Sequence, residues 1–124
     1  MFTFYNPNPA GRFTGDCAIR AVAKALNTDW DEAYLLLTAY GFSLKDWGNF
    51  NAVISALLRD YGFKRVIIPD TCPDCYTVAE FARDNPLGTF ILGTGSHVVA
   101  VVDGSYYDSW DSGNEVPVFF WRKQ

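Results

Sequence analysis

The segment "HVVAVVDGSYYDSW", residues 97–110, restricts the fold of this chain more than any other part of it. Two β-rich runs flank Asp103-Gly104. An Asp-Gly pair accepts the positive φ angles of a two-residue turn whose twist matches the strands on either side. The segment therefore predicts an antiparallel hairpin with one register, Val102 opposite Ser105 and His97 opposite Trp110. In that register Asp108 shares the His97 face, two residues along, and Asp111 points to the other face unless a bulge intervenes.

More strand texture surrounds the hairpin: "FKRVIIP" at 63–69, "TFIL" at 89–92 and "VPVFFW" at 116–121. The earlier part of the chain is different. Residues 1–15 read as an extended, turn-rich lead with Asn-Pro twice. A helix follows from about Cys17 to Leu26, with Asp16 as N-cap and Ile19, Val22, Ala23 and Leu26 on one face. Thr28 reads as the N-cap of a second helix that Gly41 ends, with Asp29, Asp31 and Glu32 in its first turn. A third follows "DWGN", with Phe50, Val53, Ile54, Leu57, Leu58 and Tyr61 as its apolar stripe and Gly62 closing it. Thr77 and Glu80 have capping-box spacing and open a short helix to about Asn85. Helices first and an antiparallel sheet after them make an α+β domain spanning 1–124.

The net charge of -4, with no block of like charge, argues against a nucleic-acid partner. No apolar run approaches the roughly 18 residues of a membrane span. The first residues lack the basic and apolar regions of a signal peptide, so a cytoplasmic protein is expected, in its own cell or a host's.

Chemistry concentrates at two places. Cys17 stands where a loop becomes a helix, at the positive end of a helix dipole, which favours thiolate. Arg20 lies one turn on. His97, the one histidine of the chain, opens a strand, and Asp108 is its neighbour across the hairpin. Cysteine, histidine and carboxylate are the parts of a cysteine hydrolase: nucleophile, proton carrier, and a group that holds the imidazole in its useful tautomer. Asp111 is the alternative orienter. "CPDC" at 72–75 lacks the four ligands of a structural zinc site and the βαβ setting of a redox motif, so it reads as a turn whose thiols are incidental. No metal or cofactor is expected. Trp47, in the loop "LKDWGN", reads as a wall of a binding cleft.

The order is cysteine on an N-terminal helix, histidine on a strand, and aspartate on the next strand. It resembles the papain-like cysteine peptidases. "GDCAIRAVAKAL" resembles the nucleophile helix of small papain-like and peptidase C39-like proteins, and "GSHVVAVVDGSYYDSW" their histidine hairpin. Asp108-Ser109-Trp110 matches the family's Asn-Ser-Trp with Asp in place of Asn. The resemblance implies Cys17 as nucleophile, His97 as base, Asp108 as orienter, and Trp110 shielding the His–Asp hydrogen bond beside the substrate. The family's oxyanion-hole glutamine, five or six residues before the cysteine, is absent, because Arg12 and Gly11 stand there. Asn8, or failing it Asn6, is then expected to supply the side-chain donor, with the Cys17 backbone N–H as the other. The activity implied is that of a cysteine peptidase or isopeptidase forming a thioester with a protein or peptide substrate. The alternatives are a deamidase or acyltransferase using the same triad, and a non-enzymatic binding or inhibitor module on the same scaffold.

Overall fold

The computed structural model describes residues 1–124. In chain order the elements are β1 (Phe2–Phe4), α1 (Cys17–Ala25), α2 (Trp30–Leu44), α3 (Asn51–Asp60), β2 (Phe63–Ile67), α4 (Val78–Asp84), β3 (Thr89–Gly93), β4 (Val98–Val102), β5 (Ser105–Asp108) and β6 (Phe119–Lys123). The chain is mixed α+β, with the strands in one six-stranded sheet ordered β1-β5-β4-β3-β6-β2.

The hairpin sets the frame. Asp103 and Gly104 take positive φ angles of 49° and 83°. Val102 pairs with Ser105, Val101 with Tyr106 and Ala100 with Tyr107, the register expected of a two-residue turn. The central strands are apolar on both faces because both faces are covered. Along β3 and β4, Ile91, Val98 and Ala100 face the layer of α1, α2 and α3. Phe90, Leu92, Val99 and Val101 face α4 on the other side. Ala18, Ala21 and Val22 pack α1 onto the first of these faces, with Ala100 opposite on β4. Small residues on both sides allow the close approach that brings the start of α1 to the mouth of the hairpin.

The structure departs from the sequence reading in four places. The lead is not merely extended: Phe2–Phe4 forms an edge strand parallel to β5, with Phe4 beside Asp108, and the Tyr5 N–H continues the pairing to the Asp108 carbonyl at 2.7 Å. Gly41 does not end the second helix, which runs on to Leu44 and stops at Lys45, with φ of 58°. Gly41 is there for close approach, since a Cβ would lie 2.6 Å from the Asp46 carbonyl oxygen. The cap of that helix is Asp29, whose carboxylate accepts the Glu32 N–H at 2.8 Å, and Thr28 bonds the Glu32 side chain instead. Cys72 and Cys75 are not incidental thiols, because they are joined by a disulfide. The capping box of Thr77 and Glu80 forms in both directions at the start of α4. No helix is long and apolar enough to cross a membrane.

Candidate active site

Cys17 is the first residue of α1 and the free cysteine of the chain, half-buried. Its own N–H and those of the first turn have no intrahelical acceptor, as at any helix start. His97 comes one residue before β4. A tight turn delivers it: the Thr94 N–H donates to the His97 carbonyl at 2.8 Å, and Gly95 takes a φ of 100° to complete the bend. Asp108 ends β5, held from outside by β1.

These three side chains meet. The Cys17 thiol and the His97 ring line one cavity, and His97 and the Val98 backbone N–H lie near enough to the thiol to lower its pKa. His97 Nε2 lies 2.6 Å from Asp108 Oδ2, which leaves Nδ1 as the nitrogen for Cys17. Asp108 is 1% exposed and saturated with donors. Oδ2 accepts from His97 and from the Ser112 hydroxyl at 2.7 Å. Oδ1 accepts from Arg20 Nη2 at 2.9 Å and the Ser109 N–H at 2.8 Å. Asp111, the alternative, faces away. It takes the Tyr106 hydroxyl at 2.6 Å and the Gly113 N–H at 3.0 Å. No bulge breaks the hairpin, so the parity that put Asp108 on the His97 face holds.

The electrostatics follow from these contacts. Burial alone pushes the Cys17 thiol up; the hydrogen bonds from His97 and Val98 and the charges of His97 and Arg20 outweigh it and hold the thiol below its usual range. Burial likewise opposes a charged His97, but the bonds to Asp108 and Cys17 raise it to about 9. Burial pushes Asp108 up, and the bonds from His97 and Ser112, the His97 charge and the Ser109 N–H bring it below the ordinary carboxylate value. At neutral pH His97 is therefore protonated, and the Cys17 thiol beside it ionises more readily than a free one.

Trp110 packs against His97, with ring centroids 4.9 Å apart and planes inclined by 46°. Two cavities adjoin beside the start of α1. One, of about 480 Å³, is lined by Cys17, His97, Trp110, Phe13 and Asn49 among others. The other, of about 510 Å³, is walled by Ile19, Tyr34, Leu37, Phe42 and Trp47. Gly15 and Asn49 line both. Trp47 is thus on the wall of the second cavity and Trp110 on that of the first.

The expectation for Asn8 and Asn6 needs correction, because neither lines the Cys17 cavity. Asn8 closes its own turn by accepting the Ala10 N–H at 2.8 Å, and the Gly11 N–H bonds the Asn8 carbonyl at 2.9 Å. Asn6 donates to the Arg12 carbonyl at 3.3 Å. The amide that does line the cavity is Asn49. The signal for it was at hand: it lies two residues from Trp47, in the loop already read as a cleft wall. Arg20 is the second residue the sequence underrated. It reads there as a nearby charge, but it is 4% exposed and bridges Asp16 and Asp108.

The arrangement sets a thiol of lowered pKa, a protonated imidazole and a buried carboxylate together at the start of a helix. No side-chain cluster of three or more His, Cys, Asp or Glu is placed to hold a metal ion. Comparison with family models, curated proteins and solved structures found no match.

Proposed function

We propose that this chain is a cysteine hydrolase of papain-like fold, a peptidase or isopeptidase that cleaves a protein or peptide through a thioester intermediate. The observation that carries the proposal is the meeting of Cys17 and His97 on one cavity wall, with His97 bonded in turn to Asp108 at 2.6 Å, the thiol lowered and the imidazole raised. Element order supports the fold assignment: nucleophile at a helix start, then histidine, then aspartate on successive hairpin strands.

In this reading the Cys17 thiolate attacks the scissile carbonyl carbon. The carbonyl oxygen takes the negative charge, facing the Cys17 N–H and the Asn49 amide. Imidazolium His97 gives its proton to the leaving amine as the C–N bond breaks, which leaves a thioester. Neutral His97 then takes a proton from water, and the hydroxide displaces the thiolate and releases the acid. Asp108 keeps Nε2 protonated throughout, so that Nδ1 carries the mobile proton. The substrate lies along the two adjoining cavities, between Trp110 and Trp47.

Incubation with a mixed peptide library, read by mass spectrometry, tests this. Cleavage that disappears in Cys17→Ala supports hydrolysis. Release of ammonia without cleavage would make the chain a deamidase, and peptide joining would make it a transferase. The absent glutamine and the distant Asn6 and Asn8 favour a second reading, a binding module that retains the fold. Peptide retained unchanged on both wild type and Cys17→Ala would establish it.

A further inference from the structure

Arg20 is almost wholly buried, and beyond its charge near Cys17 it makes contacts that the chemistry above does not use. Its guanidinium reaches two carboxylates: Nη1 bonds Asp16 Oδ1 and Nη2 bonds Asp108 Oδ1 at 2.9 Å. Asp16 Oδ2 is anchored in turn by the Trp30 indole N–H of α2 at 2.8 Å. Asp16 is joined covalently to Cys17. With that backbone link, these groups form a ring, Asp16–Arg20–Asp108–His97–Cys17, in which each carboxylate is paired with a cation.

We propose that Arg20 is a positioning residue: from the helix that carries the nucleophile, it fixes the carboxylate that orients His97. One helical turn thereby sets Cys17 and Asp108 in mutual register. The inference rests on the hydrolase reading of the triad.

Two features of the site argue for this role. A planar guanidinium reaches two carboxylates at once; an ammonium is a point charge without that fork. Asp108 also has three other donors, from His97, Ser109 and Ser112. It does not need Arg20 to be satisfied, and burying two carboxylates and an arginine is costly where apolar packing would serve stability as well. The expense is explained if the ring keeps the Asp108 carboxylate from tilting as the His97 proton moves. The charged groups facing the thiol are His97 ahead of β4, Arg20 and Asp16 on and before α1, and Asp108 behind His97. Asp111 is engaged by Tyr106 and Gly113, and the Asp46 carboxylate in the α2–α3 loop by the Trp47 N–H.

The test uses the full chain and two variants, Arg20→Lys and the charge-balanced double variant Asp16→Asn/Arg20→Gln. The double variant leaves no uncompensated buried charge and serves where a single change impairs folding. Cys17 alkylation by iodoacetamide is followed across pH 5 to 10, with urea unfolding in parallel. In both variants the acid limb should move to higher pH, with the rate at pH 6 down roughly tenfold. The wild-type rate should return at high pH, where the thiolate forms without help. Arg20→Lys should recover part of the shift seen in the double variant. A purely structural role would lower the urea midpoint and leave the profile of the folded protein superimposed on wild type, which would overturn the inference. His97→Ala separates this failure from that of the underlying reading. If it too superimposes on wild type, the hydrolase reading falls; if it alone shifts, only the role of Arg20 does.

Discussion

The two walls of the cleft are built on opposite principles. On the hairpin wall every functional polar group is committed. Asp108 has four donors, His97 is held at both its carbonyl and its ring, and Arg20 is tied at both ends. On the opposite wall, between α2 and α3, large apolar groups are left open: Trp47 is 74% and Phe42 75% exposed. The loop carrying Trp47 is nevertheless fixed, because Gly48 rests on α2 where a Cβ would lie 2.9 Å from the Leu37 carbonyl. Under the proposed hydrolase function, the difference separates chemistry from recognition. Groups that move protons must be preorganised, whereas a surface that reads a substrate stays unsatisfied until the substrate covers it.

Substitutions on the two walls should therefore fail in different ways. The largest loss is expected for His97→Ala, which removes both the thiol's partner and the proton donor. Turnover should fall by roughly 100- to 10,000-fold, measured on whichever peptide the wild type cleaves. Retained turnover would make the committed wall irrelevant to chemistry. Asp108→Ala should cost about 3–5 kcal/mol in urea unfolding, because Arg20 loses a buried carboxylate partner. A change no larger than that of an exposed site would mean that the bonding around Asp108 is slack.

Asn49→Ala sits at the junction of the two walls. It should slow acylation by p-nitrophenyl acetate by about 100- to 1000-fold, as for loss of an oxyanion donor. Alkylation by iodoacetamide, which forms no oxyanion, should hardly change. Equal effects on both reagents would remove Asn49 from the oxyanion hole. Trp47→Ala, on the open wall, should raise KM about tenfold with kcat little altered, and shift stability by no more than about 0.5 kcal/mol. A kcat effect there would erase the division between the walls.

The smallest effect concerns stability against pH. Alone, His97 contributes stability that is full below 6.5 and lost as pH rises toward about 9. Alone, Cys17 contributes stability that is present above 9.0 and lost as pH falls through its lowered folded value. Between about 6.5 and 9 the two contributions oppose each other, the folded state holding a proton on His97 that the unfolded state lacks and releasing one from Cys17 more readily. The Cys17 contribution therefore flattens the fall of the urea midpoint in that window. In Cys17→Ser the His97 contribution stands alone, and the midpoint should fall across it. Parallel curves for the two proteins would show that the thiol and the imidazole are not coupled.

How much of this was legible in the sequence depends on how local the cause is. The hairpin register could be read because Asp103-Gly104 fixes it within a few residues, and with it the nearness of His97, Asp108 and Trp110. The capping box of α4 is local in the same way. The strand at Phe2–Phe4 was not legible. It is three residues long and its partner lies about a hundred residues away in the chain, so no local pattern announces it. Gly41 misled because a glycine needed for close approach looks like one needed to stop a helix. Arg20 could not be recognised as a bridge, since its burial and its second carboxylate exist only after α1 meets β5. Asn6 and Asn8 have the right amide chemistry and lie in the right direction along the chain. The lead reaches the cavity at Phe13, Thr14 and Gly15 and not at its asparagines, and Asn49 arrives there from a different loop.

The most direct test is site-mapped alkylation of the intact, unreduced protein with iodoacetamide as a function of pH, for wild type and His97→Ala. The account predicts that Cys17 alone is labelled, rapidly at pH 6 to 7 in the wild type and slowly there in His97→Ala, while Cys72 and Cys75 stay linked to each other. Labelling of wild-type Cys17 that begins only as pH approaches the ordinary thiol range, with His97→Ala giving the same curve, would contradict it.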